Sequence, residues 1–119
     1  MRARVVRVKR VYEKASKSDG WRVLVDRLWP RGLTKEAASA DVWIKEVAPS
    51  DELRKWFGHE PEKWTAFQKK YRAELAKKKP LIDDLRKMEK EHGTLTLLYG
   101  AKDEERNQAV ALMRVLKKK

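Results

Sequence analysis

Trp21-Arg22-Val23-Leu24-Val25-Asp26-Arg27-Leu28-Trp29-Pro30-Arg31-Gly32 is the stretch that decides how this chain folds. Its first half, Trp21 to Val25, is an apolar run that reads as a buried strand. Its second half is a charged, aromatic loop whose backbone Pro30 and Gly32 restrict. Two guanidiniums, one carboxylate and one indole lie within the seven residues from Asp26 to Gly32. Such a set suits an anionic, planar ligand better than a core. The loop is therefore the expected centre of a functional site.

Working outward, Arg4 to Val11 carries valines at 5, 6, 8 and 11 and bases at 4, 7, 9 and 10. Val6 and Val8 alternate with Arg7 and Lys9, which predicts a strand. Ala15 to Gly20 reads as a loop. Beyond Gly32, Thr34 is placed to cap a short helical turn that reaches Ala40. Asp41 to Val47 fits neither period. Ser50 caps the next helix, with Asp51 and Glu52 in its first turn and Gly58 at its end. Pro61 opens another, along which Trp64, Phe67, Tyr71 and Leu75 form one apolar stripe. Trp56, Trp64 and Phe67, all at helical spacings, are assigned to the core. Pro80 opens a third helix with Leu81, Ile82, Leu85 and Met88 inward, and Gly93 ends it. Thr94 to Tyr99 is a strand covered on both faces. Asp103 is expected to cap the last helix, with Val110, Met113 and Leu116 inward. Lys117 to Lys119 reads as a frayed tail.

The order β, β, helices, β, α describes one small α/β domain over residues 1–119. It has about three mainly parallel strands and four or so helices. In such sheets, ligands sit outside the carboxyl ends of the strands. Parallel strands would bring together Lys9, Arg10 and Tyr12, then Asp26, Arg27, Trp29 and Arg31, then Lys102, Asp103 and Asn107 at a helix N-terminus. The connection between the first two strands is short for a parallel crossover. An antiparallel hairpin would carry Lys9 and Arg10 away from the site.

Composition narrows the chemistry. The chain of 119 residues has no cysteine and two histidines, His59 and His92. Thiol nucleophiles and thiolate metal sites are excluded, no metal site is expected, and no cofactor motif is present. The net charge of +12 favours polyanions. The same lysine and arginine content, with a single asparagine, also fits heat adaptation. No apolar run is long enough to cross a bilayer, and Met1 to Arg4 leads straight into strand pattern without a secretory signal, so a cytoplasmic protein without membrane contact is expected.

Lys9-Arg10-Val11-Tyr12, Asp19-Gly20 and Arg22 to Gly32 resemble the domain of unknown function 488 family, and within it the small YeaO-like branch. Ala48-Pro49-Ser50, Leu53 to His59, Thr96 to Tyr99 and Ala101-Lys102-Asp103 extend the resemblance over nearly the whole chain. The resemblance implies a Rossmann-like fold, which favours the parallel arrangement. It supports Asp26, Arg27, Trp29, Arg31, Lys102 and Asn107 as matched positions and assigns no reaction to any of them. Trp21 stands where a tyrosine is common. Gln108 stands where the branch often has histidine, so an acid–base role there would be lost.

Each candidate has a bland counterpart. Arg27 and Arg31 form either an anion clamp or salt bridges. Asp26, beside two guanidiniums, is expected to have a lowered pKa and to orient arginine; it would be a base only if a buried pocket offset them. Trp29 either stacks on a ligand or packs under its loop. His59, between Gly58 and Pro61, is an acid–base group if its loop folds over the site, and otherwise a helix cap or a solvent residue. His92 is read as a helix-end residue. Lys69, Lys70, Arg72 and Lys77 to Lys79 make either a nucleic-acid stripe or a solvated face. The leading expectation is an enzyme or binder of a phosphate-bearing or nucleotide-like molecule. Asp26, Arg27 and Arg31 would carry any metal-independent hydrolysis or group transfer, and Arg10, Trp29, His59, Lys102 and Asn107 would contact ligand. The rival expectation is a non-catalytic nucleic-acid-binding protein.

Overall fold

The valine-rich N-terminal run extends as β1 (Val5–Arg10) in the computed structural model, which describes residues 5–118. β1 pairs along its length with β4 (Thr94–Tyr99), Val5 opposite Thr94 and Arg10 opposite Tyr99. β2 (Trp21–Leu24) lies on the other side of β4, with Trp21 opposite Leu95 and Leu24 opposite Leu98. β3 (Val42–Trp43) pairs with Val23 and Leu24. The order is β1-β4-β2-β3, and every pairing is parallel. The fold is α/β as expected, with one strand more than the sequence pattern predicts. That strand comes from the ambiguous Asp41–Val47 stretch, where two paired residues are too few to show a period.

Parallel pairing rules out the hairpin between β1 and β2. Residues 11–20 return across the sheet without an α-helix. Ten extended residues reach roughly 33 Å, ample to run back along a six-residue strand. The return is held by a tight turn, Lys17–Asp19, in which Ser16 Oγ accepts from Ser18 N–H and Asp19 accepts from Ser16 N–H. Gly20 completes it at φ +62°. A Cβ there would lie 2.4 Å from the Thr94 carbonyl oxygen, so only glycine passes.

Side chains alternate across the sheet. Val6, Val23, Val25, Leu95, Leu97 and Tyr99 join the helices in the main core. Leu24 and Leu98 point the other way, against Val11 and Ala38. The helices are α1 (Lys35–Ala38), α2 (Asp51–Phe57), α3 (Trp64–Ala76), α4 (Lys79–His92) and α5 (Gln108–Lys117). Thr34 and Ser50 cap α1 and α2, Gly58 and Gly93 end α2 and α4, and Pro80 sits in the first turn of α4, all as the sequence predicts. Lys117 belongs to α5, while Lys119 and Met1 to Arg4 lie outside the described residues.

Three expectations are corrected. Asp103 does not cap the last helix; it accepts from Glu105 and Arg106 N–H and closes a preceding turn. The cap is Asn107, whose Oδ1 accepts from Val110 N–H at 3.0 Å. The charged run 104–106 cannot join a helix whose first turn is buried, so α5 begins where alanine and valine begin. Trp56 is not core. Leu53 and Phe57 are the inward positions of α2, which turns Trp56 to the surface between Lys63 and Lys70. Phe67 is buried and stacks on both Phe57 and Trp64, the latter half-buried against the core. His92 does more than end α4, since it stacks flat on Trp21 with centroids 4.1 Å apart.

Candidate functional site

β1, β4 and β2 end side by side at Arg10, Tyr99 and Leu24. The chain leaving β2 turns there through Asp26 to Gly32 and walls a cavity of about 550 Å³, within the range that holds small ligands. Tyr12 donates its hydroxyl to the Arg31 carbonyl at 2.9 Å, and Trp29 Nε1 donates to the Leu33 carbonyl at 2.6 Å. Trp43 Nε1 donates to the Asp26 carbonyl at 2.7 Å and its ring meets Trp29 edge-on. Three aromatic side chains thus brace the loop, Tyr12 and Trp43 from neighbouring segments and Trp29 from within it.

Asp26, Arg27, Trp29, Arg31, His59 and Asn107 all reach the cavity wall. Arg27 also braces the opposite wall, donating from Nε to the Pro49 carbonyl at 3.1 Å, and lies 3.8 Å from Asp51 of α2, which pairs with Arg54 at 3.5 Å as well, so the salt-bridge reading of Arg27 holds in part. Arg31 lines the lip with its guanidinium exposed and, among the described residues, without a hydrogen bond or ion pair. Asn107 is buried and occupied as the α5 cap, with its amide donating to the Asp103 carbonyl. Arg10 and Lys102 are not in the wall. Arg10 stands behind it, donating to the Ala101 carbonyl at 3.0 Å and covering Tyr12. Lys102 is exposed. Lys9 turns back to Asp19 at 3.1 Å. The lysine run divides: Lys70 lies over Trp56, while Lys78 donates to the Glu46 and Ala48 carbonyls.

Sequence reasoning missed Arg54 and the contact made by Gln108. Arg54 sits on α2 three residues before Phe57, which places both on one face in the wall. That spacing is the only signal for it. Gln108 donates its amide to Asp26 Oδ1, and Gly100 N–H donates to Oδ2 at 2.9 Å. Gly100 makes this possible, because a Cβ there would stand 2.8 Å from Asp26 Oδ2.

The pKa expected for Asp26 is also corrected. Burial pushes it up to about 6, against the opposing pull of the Gly100 N–H, the Gln108 amide and the His59 charge. Arg27 is turned to backbone carbonyls and Arg31 is at the lip, so neither guanidinium pairs with the carboxylate. Burial therefore wins. His59 follows Gly58, and both have left-handed backbone (φ +53° and +59°). For histidine that conformation costs energy, and it occurs here on a loop facing the cavity.

The arrangement has clear chemical capacity. Three arginines and a histidine face a hollow whose single acid is half-neutral near pH 6. Phe57, Phe67, Trp29 and Pro49 give it apolar surface. Asp26 and His59 are the only acid and imidazole in the wall; among the described residues no three His, Cys, Asp or Glu side chains cluster closely enough to hold a metal ion.

Residues 5–119 match the family model described as the Inactive DUF488-N3 subclade. The chain belongs to the DUF488 family. Over 111 residues it is 46% identical to Uncharacterized protein YeaO of Escherichia coli (strain K12), covering 90% of this chain and 92% of that protein. It is 51% identical over 70 residues to Uncharacterized protein Rv3073c of Mycobacterium tuberculosis (strain ATCC 25618 / H37Rv), covering 59% of each. No solved structure matches it. The resemblance read from Leu28-Trp-Pro-Arg-Gly32 and its flanks is thereby borne out for this DUF488 member. No helix among the described residues is long and apolar enough to cross a membrane.

Proposed function

We propose that this DUF488 member binds a small phosphate-bearing, nucleotide-like anion in the cavity and does not turn it over. The observation that carries the reading is the convergence of Arg27, Arg31, Arg54 and His59 on one hollow of about 550 Å³ with a single acid in its wall. Guanidiniums clamp phosphate or carboxylate oxygens in pairs. Phe57, Trp29 and Pro49 offer a flat ring an apolar bed. Two observations support binding without chemistry. Gln108, an amide that carries no titrating proton, holds Asp26 Oδ1. The matching subclade is described as inactive.

The test is calorimetric titration of adenosine monophosphate and of inorganic phosphate into the wild type and Arg31→Ala. The nucleotide should bind the wild type, phosphate more weakly, and Arg31→Ala should lose at least tenfold. Equal affinity of variant and wild type would sink the reading.

One observation favours a second reading, metal-independent hydrolysis or group transfer. A carboxyl group that titrates near 6, opposite His59, is matched to proton transfer near neutral pH. Product formed from a nucleotide by the wild type, and abolished in Asp26→Asn, would establish it in place of the first.

A further inference from the structure

Among the described residues, four large hydrophobic side chains are exposed: Tyr12, Leu28, Trp43 and Trp56. Soluble proteins scatter such residues singly. Here three of the four border one feature, and the fourth lies on a helix that contributes to it. Tyr12 and Leu28 are in the cavity wall. Trp43 packs edge-on against Trp29 of that wall. Trp56 lies on α2, which gives Arg54 and Phe57 to the wall, but its own ring faces away from the cavity, toward Lys63 and Lys70.

Their rings share a second property. Arg10 lies over Tyr12 at 4.9 Å, and Lys45 over Trp43 at 5.8 Å. Trp56 has two cations, Lys63 at 5.1 Å and Lys70 at 4.9 Å. A mononucleotide held in the cavity would need neither Trp43 nor Trp56, which lie outside its wall. A flat ring with a cation beside it, repeated around a basic hollow, meets the needs of a chain that alternates planar bases with phosphates. A duplex hides its base faces, so exposed rings favour a single strand. The net charge of +12 also opposes a second copy of this chain as the occupant.

Resting on the cavity reading above, we infer that the mouth of the cavity and the adjoining outer face of α2 form a path for single-stranded nucleic acid, on which Tyr12, Trp43 and Trp56 stack bases, their neighbouring cations meet phosphates, and the cavity receives one nucleotide unit. Bases stack by displacing or sharing the cation over each ring, and the freed lysines turn to the backbone. Binding should therefore weaken steeply with salt.

The probe is single-stranded oligothymidylate, measured by fluorescence anisotropy against its duplex with oligoadenylate, a polyglutamate of equal charge and thymidine monophosphate. The single strand should bind best of the four. Trp56→Ala and Trp43→Ala should each weaken it by roughly five- to hundredfold, the range expected for one stacked base. Lys63→Gln with Lys70→Gln keeps the Trp56 ring and should flatten the salt dependence, which guards against a folding defect in the tryptophan variants. Equal binding of duplex, polyglutamate or thymidine monophosphate overturns the path, as does a strand affinity unchanged in both tryptophan variants. Strand affinity that falls in the tryptophan variants but not in Arg31→Ala leaves the path standing and removes the cavity reading instead. Mononucleotide binding that the strand does not improve has the reverse meaning.

Discussion

Asp19 and Asp26 are seven residues apart, each close in sequence to an arginine, and their surroundings drive them in opposite directions. Asp19 lies in the return loop, in the turn Lys17–Asp19. Its carboxylate pairs with Arg22 and, at 3.1 Å, with Lys9, and it accepts from Ser16 N–H. Burial alone would raise its pKa, but the Ser16 N–H and the two cations outweigh it and hold the group below the ordinary value of 3.8. Asp26 accepts only from neutral donors, Gly100 N–H and the Gln108 amide, and burial carries it to about 6. The first site is closed: Arg22 also donates to the Ser39 and Ala38 carbonyls, and Thr96 Oγ1 donates to the Asp19 carbonyl at 2.6 Å. The second keeps cations nearby but unpaired with its acid. A saturated network stabilises the fold, whereas Arg31, which has no acid among the described residues, and Arg27 and Arg54, which share only the exposed Asp51 at 3.8 and 3.5 Å, are available to something that arrives from outside.

The largest expected effect tests the closed site. Asp19→Ala strands the buried Arg22 and the partly buried Lys9 without their counter-charge. Breaking one side of a buried pair costs about 3–5 kcal/mol, so urea unfolding should show a loss of that order. Because its folded pKa is lowered, Asp19 contributes stability above pH 3.8 and loses it as pH falls through the folded value. A loss under about 1 kcal/mol would mean that the network is ornamental.

Asp26→Asn should have the opposite sign. A folded pKa raised from 3.8 to about 6 gives a contribution fully present below 3.8 and lost as pH rises through 6. The amide removes that loss, so the variant should be more stable than wild type at pH 7.5 by up to about 3 kcal/mol. Near pH 4 the two should coincide. Melting curves at the two pH values decide it, and destabilisation at pH 7.5 would show that Asp26 is paired like Asp19 after all.

Gly100→Ala perturbs the second site without removing its acid. The new Cβ would stand 2.8 Å from Asp26 Oδ2 and must push the carboxylate aside. Overpacking of this kind costs about 1–3 kcal/mol. The sharper readout is the pH profile: an Asp26 displaced toward water should lose its raised pKa, and the stability difference between pH 4 and 7.5 should shrink. An unchanged profile would separate the Gly100 contact from the burial of Asp26.

The contrast between the two aspartates was only half legible in the sequence. β1, β2 and β4, the Ser50 and Thr34 caps, the glycine stops and the loop at the carboxyl end of β2 all follow from local pattern, because period and cap chemistry are local, whereas the two-residue β3 does not. The Asp26–Gly32 loop stood out because its composition departs from that of a turn. Charge proximity along the chain, however, misassigned Asp26. Its pKa is set by the direction in which Arg27 points, and the receiving carbonyls of Ala48 and Pro49 lie on another segment. Arg54 escaped notice for the same reason, since nothing local marks which face of a seven-residue helix meets the cavity. Nothing local marks Asp19 as more than a loop residue, because its partners Lys9 and Thr96 meet it only once β4 lies between β1 and β2.

Arg31 gives the smallest effect on stability and the cleanest separation of the two sites. Its guanidinium is exposed and, among the described residues, bonded to nothing; only its carbonyl, which any residue supplies, is used by Tyr12. Arg31→Ala should therefore stay within about 0.5 kcal/mol of wild type, as surface substitutions do. Fold and ligand affinity then separate at one position: the melting temperature holds while nucleotide binding falls. Arg22→Ala, at the closed site, should show the reverse, unfolding early because it leaves Asp19 buried with fewer partners and the Ser39 and Ala38 carbonyls unmet. If Arg31→Ala instead melts as early as Arg22→Ala, the lip arginine belongs to the scaffold, and the distinction between a saturated site and a receptive one fails.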